Sequence, residues 1–214
     1  MSKKGRITID ELLASRENDS DYIARTLEYD LAHERRVEQA RKDREPVNSE
    51  LRSIGILEDY ATFPNTTTPN EAFPILLKHL KLAQLPPTEL GVLAKCFAHP
   101  SAADYWDSIV GEFKSRMLMS DNDFVKDGLA ISLGMMCSTR DQLAELYELI
   151  EDRRYGAARI LLMDKVRRAD IPLFQELFER LVEHDEVVRP EILSWKSYWK
   201  RKNPALLERW RKRK

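Results

Sequence analysis

The sequence predicts an all-α protein, a short solenoid of about four stacked helix pairs with an N-terminal helical arm. Three observations carry this. Only 7 of the 214 residues are Gly, and 27 Leu stand against 21 Val plus Ile. Both counts favour helix over a sandwich or barrel, which needs turn glycines and β-branched residues. Short apolar runs alternate with breakers at Pro86-Pro87, Pro100-Ser101, Asp121-Asn122, Ser138-Thr139, Tyr155-Gly156, Asp170, Asp185 and Asn203-Pro204. Several of these are good N-caps or first-turn prolines, and loops this short make successive helices antiparallel neighbours. The third observation is a degenerate repeat, described below.

Residues 1–63 read as the arm. Thr8 or Asp10 can cap a short helix through Leu13, and Ser20 or Asp21 a longer one. Tyr22, Ile23, Leu27, Leu31 and Val37 give the longer helix a thin apolar stripe, while most of its other positions are charged. Such a helix is held by i,i+4 pairs and one narrow seam, and at about 24 residues it would reach about 36 Å. Pro46 is expected to kink or restart it, and Gly55 to end it. Residues 64–70, Pro64 to Asn70, read as a linker.

Residues 71–202 read as the repeat domain, with helices at about 71–83, 87–98, 102–117, 122–136, 140–151, 156–168, 171–184 and 187–201, and another at 204–212 in the tail. The second helices of successive pairs begin near 87, 122, 156 and 187. Apolar pairs recur in them at Leu93 and Phe97, Leu129 and Leu133, and Leu162 and Val166, with the small residues Ala94 and Ala130 in matching places. Units of this kind cannot bury their apolar faces alone, so they stack.

The segments Phe124-Val125-Lys126-Asp127-Gly128-Leu129-Ala130-Ile131-Ser132-Leu133-Gly134 and Tyr155-Gly156-Ala157-Ala158-Arg159-Ile160-Leu161-Leu162 resemble second helices of HEAT-like repeats. An arm followed by such repeats is similar to small bacterial HEAT-repeat proteins. The resemblance covers about residues 70–201. It implies a curved solenoid that binds another macromolecule on its concave face. Some members of that family neutralise toxins as immunity proteins, some are adaptors, and one branch excises alkylated DNA bases. Members of that branch place an Asp four residues after an active-site Trp. Here those positions hold Val110, Trp199, Asn203 and Lys214, which argues against the enzyme.

Charge and motifs narrow the function classes. Lys plus Arg is 35 and Asp plus Glu is 36, a net charge of -1, which disfavours a general nucleic-acid binder. No apolar run is long enough for a signal peptide or a membrane span, and the two cysteines, Cys96 and Cys137, have no CxxC partner, so a reduced cytoplasmic protein is expected. Cys96 to His99 spells C-x2-H, but the other ligand types are scattered, and no metal or other cofactor is expected. Asp121-Asn122-Asp123 fails as a calcium loop, since the positions that need Gly and Glu hold Lys126 and Ser132. No Gly-rich phosphate loop and no nucleophile motif is present.

The expected function is therefore non-catalytic binding of a protein partner, and the resemblance adds a toxin-neutralising inhibitor as its form. The candidate partner-binding residues are Lys126, Asp127 and Arg159, at the starts of second helices, and Trp195, Trp199, Lys200 and Arg201 near the C-terminus. The alternative is a nucleic-acid-binding protein, or an enzyme like the DNA-alkylation-repair branch, that grips nucleic acid with the basic, Trp-rich stretch Lys196 to Lys214. That stretch holds nine Lys or Arg against one acid, interleaved with Trp199 and Trp210. A third reading is a scaffold in a larger complex. Residues 203–214 read as a basic helix or tail.

Overall fold

The computed structural model describes residues 19–116, 123–169 and 171–202, and for 167–169, 171–175, 196 and 198–202 the backbone alone. Among the described residues the chain forms nine α-helices and four short 3-10 segments, with no strand. The helices are α1 (Ser20–Ser53), α2 (Phe73–Leu82), α3 (Pro87–Lys95), α4 (Trp106–Ser115), α5 (Phe124–Met136), α6 (Arg140–Glu151), α7 (Arg159–Ala169), α8 (Ile171–His184) and α9 (Arg189–Lys202). The all-α class is as expected from the composition. The expected helix from Thr8 or Asp10 through Leu13, that at 204–212, and the breakers Asp121-Asn122, Asp170 and Asn203-Pro204 lie wholly or partly outside the described residues.

The chain divides into two compact units, one ending at Glu45 and one starting at Pro46. The expected arm boundary at 63 and the linker at 64–70 are not where the chain divides. Val47, Leu51, Tyr60, Phe63 and Thr68 are all buried in the second unit. Asn48 accepts a hydrogen bond from the Tyr60 amide, and the Thr68 hydroxyl donates to the Cys96 carbonyl at 2.7 Å. Polar composition suggested a loose spacer, but each polar group here satisfies a buried backbone group instead.

Within the first unit α1 is capped by Asp19, whose Oδ1 accepts from the Asp21 and Tyr22 amides, one residue before the expected cap. The helix runs through Pro46 without a restart. It stops in a Schellman turn, with Ile56 donating to the Leu51 carbonyl and Gly55 to that of Arg52. Gly55 supplies the positive φ of 89° that this turn requires.

In the second unit α3 packs on α5, and α5 in turn on α7, while α4–α5, α6–α7 and α8–α9 form helical hairpins. Leu93, Leu129, Leu133, Leu162 and Val166 are all fully buried, so the face of α3, α5 and α7 that carries them is turned into the core. Phe97 is buried too, but lies past the end of α3 at Lys95. Starts at 87, 124, 159 and 189 lie close to those expected. The departures have local causes. Before α4 and α7 the chain takes 3-10 turns, Pro100–Tyr105 and Arg153–Ala158. In the second of these Gly156, at φ 55° and ψ -140°, leaves helical space and delays α7 to Arg159.

Polar ties join the layers. Thr139 and Gln142 close a capping box on α6, and Asp123 caps α5. Glu145 on α6 receives the Trp106 indole at 2.8 Å and the Lys114 ammonium at 2.7 Å, both from α4. Burial pushes the Glu145 carboxyl up, but these two donors outweigh it and hold it below the usual range.

Candidate functional site

The structure separates the residues that the sequence grouped as a recognition strip. Lys126 is completely buried. Its ammonium donates to the Arg116 carbonyl and lies 5.2 Å from the Phe113 ring centroid and 4.6 Å from that of Tyr155. Arg159 is also completely buried, paired with Asp185 at 2.6 Å and 3.1 Å and bonded to the carbonyls of Gly156 and Ile150. Neither side chain is offered to a partner, which corrects both assignments. A cation at a helix start has the same sequence signature whether it faces solvent or fills an internal polar pocket, and only packing separates the two.

Burial lowers the Lys126 pKa below the ordinary lysine value, with the Asp123 and Asp152 charges opposing this. Between that lowered value and the unfolded one the denatured chain binds more protons than the native chain. Stability therefore rises with pH through that window. Lys126→Met keeps the chain between the two rings and removes the desolvated charge. Its stability should stay within about 1.5 kcal/mol of wild type at neutral pH. Urea midpoints should then lose the wild-type gain seen as pH rises toward the unfolded lysine value of about 10.4. An unchanged alkaline limb in the variant would show that Lys126 is not its source.

Of the other candidates, Asp127 is half-buried on α5. Burial raises its carboxyl above the usual range and Asp123 adds to this, against the nearby cation Lys95. Trp195 packs against Phe178 with ring centroids 5.6 Å apart, bracing α9 on α8. Trp199, Lys200 and Arg201 sit on the last turns of α9, but their side chains lie outside the described residues, as does the tail 203–214.

What the structure does present is an open cleft of about 570 Å3 between α5 and α7. Ile131 and Met135 from α5, Leu161 from α7 and Pro100 give it apolar walls, with Asp164 and Lys165 at one side. Phe124, Asp127, Ile131 and Met135 recur at helical spacing, so they share one face of α5. Phe124 is 52% exposed and Met135 54% exposed, unusual for large apolar side chains. This surface was not singled out from the sequence. Its signal was present: α5 is apolar nearly all round, more than one buried face needs. That pattern alone reads equally as a deeply buried helix.

The residues that invited a metal reading are otherwise engaged. The buried Cys96 thiol donates to the Tyr60 and Val92 carbonyls, and burial pushes its pKa up. The His99 ring bonds Ser101. Among the described residues no group of three His, Cys, Asp or Glu is placed to hold a metal ion, and no helix is long and apolar enough to cross a membrane. Comparison with family models, with curated proteins and with solved structures finds no match to this chain.

Proposed function

We propose that this chain is a non-catalytic helical-repeat protein, a short HEAT-like solenoid, whose cleft between α5 and α7 takes an apolar segment of a protein partner. The apolar wall of the cleft, the exposed Met135 and half-buried Ile131 of α5 beside Leu161, continued along the same face of α5 by the exposed Phe124, is the observation that carries the reading. The succession of α3, α5 and α7, each packed on the next, supports the solenoid. A concave, mostly apolar site with one acid and one base at its side suits a segment with a buried anchor residue and polar flanks. A toxin-neutralising inhibitor is one form of such a protein.

The test is a photo-cross-linking residue at position 135 in the full chain, expressed in its native host. One discrete protein adduct is expected, and mass spectrometry would identify it. With that partner purified, Met135→Asp should weaken binding about tenfold or more. The same change should alter stability by no more than about 0.5 kcal/mol, because the side chain is already half in water. An adduct with nucleic acid alone, or wild-type partner affinity in Met135→Asp, would overturn the cleft as the binding site.

A further inference from the structure

The arm poses a problem that the core does not. From Asp19 to Gln39 every residue is exposed. Ile23, Leu27, Leu31 and Val37 are 44%, 57%, 47% and 48% exposed. At 100° per residue these four fall within an arc of about 120°, a single stripe. Several ties along this stretch are local. Glu38 pairs with Arg41 and Lys42, the Gln39 amide bonds Asp43, and Arg36 and His33 lie against the Tyr29 ring. Pairs of this kind contribute about 0.2 to 0.5 kcal/mol each, too little to hold a long solvated helix on their own.

The charge along the arm is polarised. Residues 19–34 hold five acids and one base, a net charge of -4, and residues 35–44 hold five bases and two acids, a net charge of +3. A helix divided in this way is complementary to a reversed copy of itself. We propose that two copies of this chain pair through their arms, antiparallel, over residues 21–44. With the two-fold axis between Ala32 and His33, Asp21 comes level with Arg44 of the second copy and Asp30 level with Arg35. Leu27 and Ile23 come level with the carbon stems of Glu38 and Lys42. Read through that axis, the acidic half of each arm lies along the basic half of the other. A parallel, in-register pairing would set every charge against its own copy. The overlap is about 36 Å long. Its apolar content is four residues per copy, so electrostatic complementarity sets the orientation and much of the strength. The pairing turns one cleft per chain into two per assembly, which raises avidity for a partner that repeats its segment.

Sedimentation of the full chain tests this directly. A reversible dimer is expected at about 50 mM salt, with its dissociation constant raised about tenfold or more at about 500 mM salt. A monomer at every concentration overturns the proposal, and so does a dimer that salt strengthens, the behaviour of a parallel pair. Two charge variants sharpen the test. Glu28→Lys with Asp30→Lys and Glu34→Lys makes the arm basic throughout, and Arg35→Glu with Arg36→Glu and Arg41→Glu makes it acidic throughout. Each alone should be monomeric, and an equimolar mixture should restore the dimer. A dimer in either variant alone, or none in the mixture while both retain wild-type helix content by circular dichroism, overturns the proposal. Orientation is read by cross-linking single cysteines with a short bis-maleimide. Glu34→Cys, close to the axis, should link to itself and Ser20→Cys should not, while the native Cys96 and Cys137 are buried. Self-linking at Ser20→Cys would reverse the assignment.

Discussion

Arg159→Met lowers the stability of the second unit by about 3 to 5 kcal/mol, the range for removing one member of a buried ion pair. The reason is what the substitution leaves behind. Asp185 keeps only the Val187 and Val188 amides at 3.2 Å and 3.4 Å, and the more distant Arg153 at 3.9 Å on the surface side. The carbonyls of Ile150 and Gly156 each lose a donor. In the native protein burial pushes the Asp185 carboxyl up, but the hydrogen bonds and charge of Arg159, with the two amides, hold it below the usual range. A carboxyl lowered in this way contributes stability that is complete above its unfolded pKa of about 3.9 and is lost as pH falls through the folded value. In Arg159→Met the burial is opposed only by the two amides and the distant Arg153, and the dependence reverses. The deficit should shrink as pH falls from about 7 to about 5, because protonating Asp185 relieves an unpaired charge. Urea unfolding followed by circular dichroism at the two pH values checks both points. A deficit under about 1 kcal/mol, the value of an exposed pair, would mean that the cluster is solvated in solution.

Gly128→Val should destabilise by about 3 kcal/mol or more, at the upper end for overpacked cores. A Cβ on Gly128 would lie 2.5 Å from the Gly91 carbonyl oxygen and 2.9 Å from the Ala94 Cβ. Across the same contact a Cβ on Gly91 would lie 2.6 Å from the Phe124 carbonyl oxygen. The obstacles are backbone, so a rotamer change cannot relieve them. Helices α3 and α5 would have to separate, and Ser132 would lose its 2.7 Å bond to the Ala94 carbonyl. Gly128→Ala is the informative companion. Helix propensity favours Ala by about 1 kcal/mol, so a net loss in that variant isolates the steric cost of the contact. Melting temperatures of both variants decide it, and wild-type stability in Gly128→Val would show that α3 and α5 are farther apart than described here.

The helices themselves were legible in the sequence because their causes are local. Apolar spacing, first-turn prolines and caps act within a few residues, and Leu93, Leu129 and Leu162 sit in the core where their spacing placed them. The 3-10 turns that shorten α4 and α7 escaped this reading. Gly156 looks like any helix breaker until its ψ is known. The extent of the arm also escaped it. Residues 46–63 are less charged than those before them, and Val47, Leu51, Tyr60 and Phe63 from that stretch complete the core.

The candidate site shows the same division more sharply. Lys126 and Arg159 stand out in the sequence as cations at helix starts in an apolar pattern, whereas the cleft residues Ile131, Met135 and Leu161 blend into it. Sequence determined the helical class, the order of the helices and the apolar residues that α3, α5 and α7 bury, since periodicity is a property of one segment at a time. Tertiary structure alone decided which cations are buried and which apolar side chains stay in water. A charge is internal only if carbonyls and a carboxylate from other segments converge on it, as Ile150, Gly156 and Asp185 do on Arg159. An apolar face is a surface only if no other helix covers it, and among the described residues none closes over Met135. Both conditions depend on residues distant in the chain, and no local pattern encodes them.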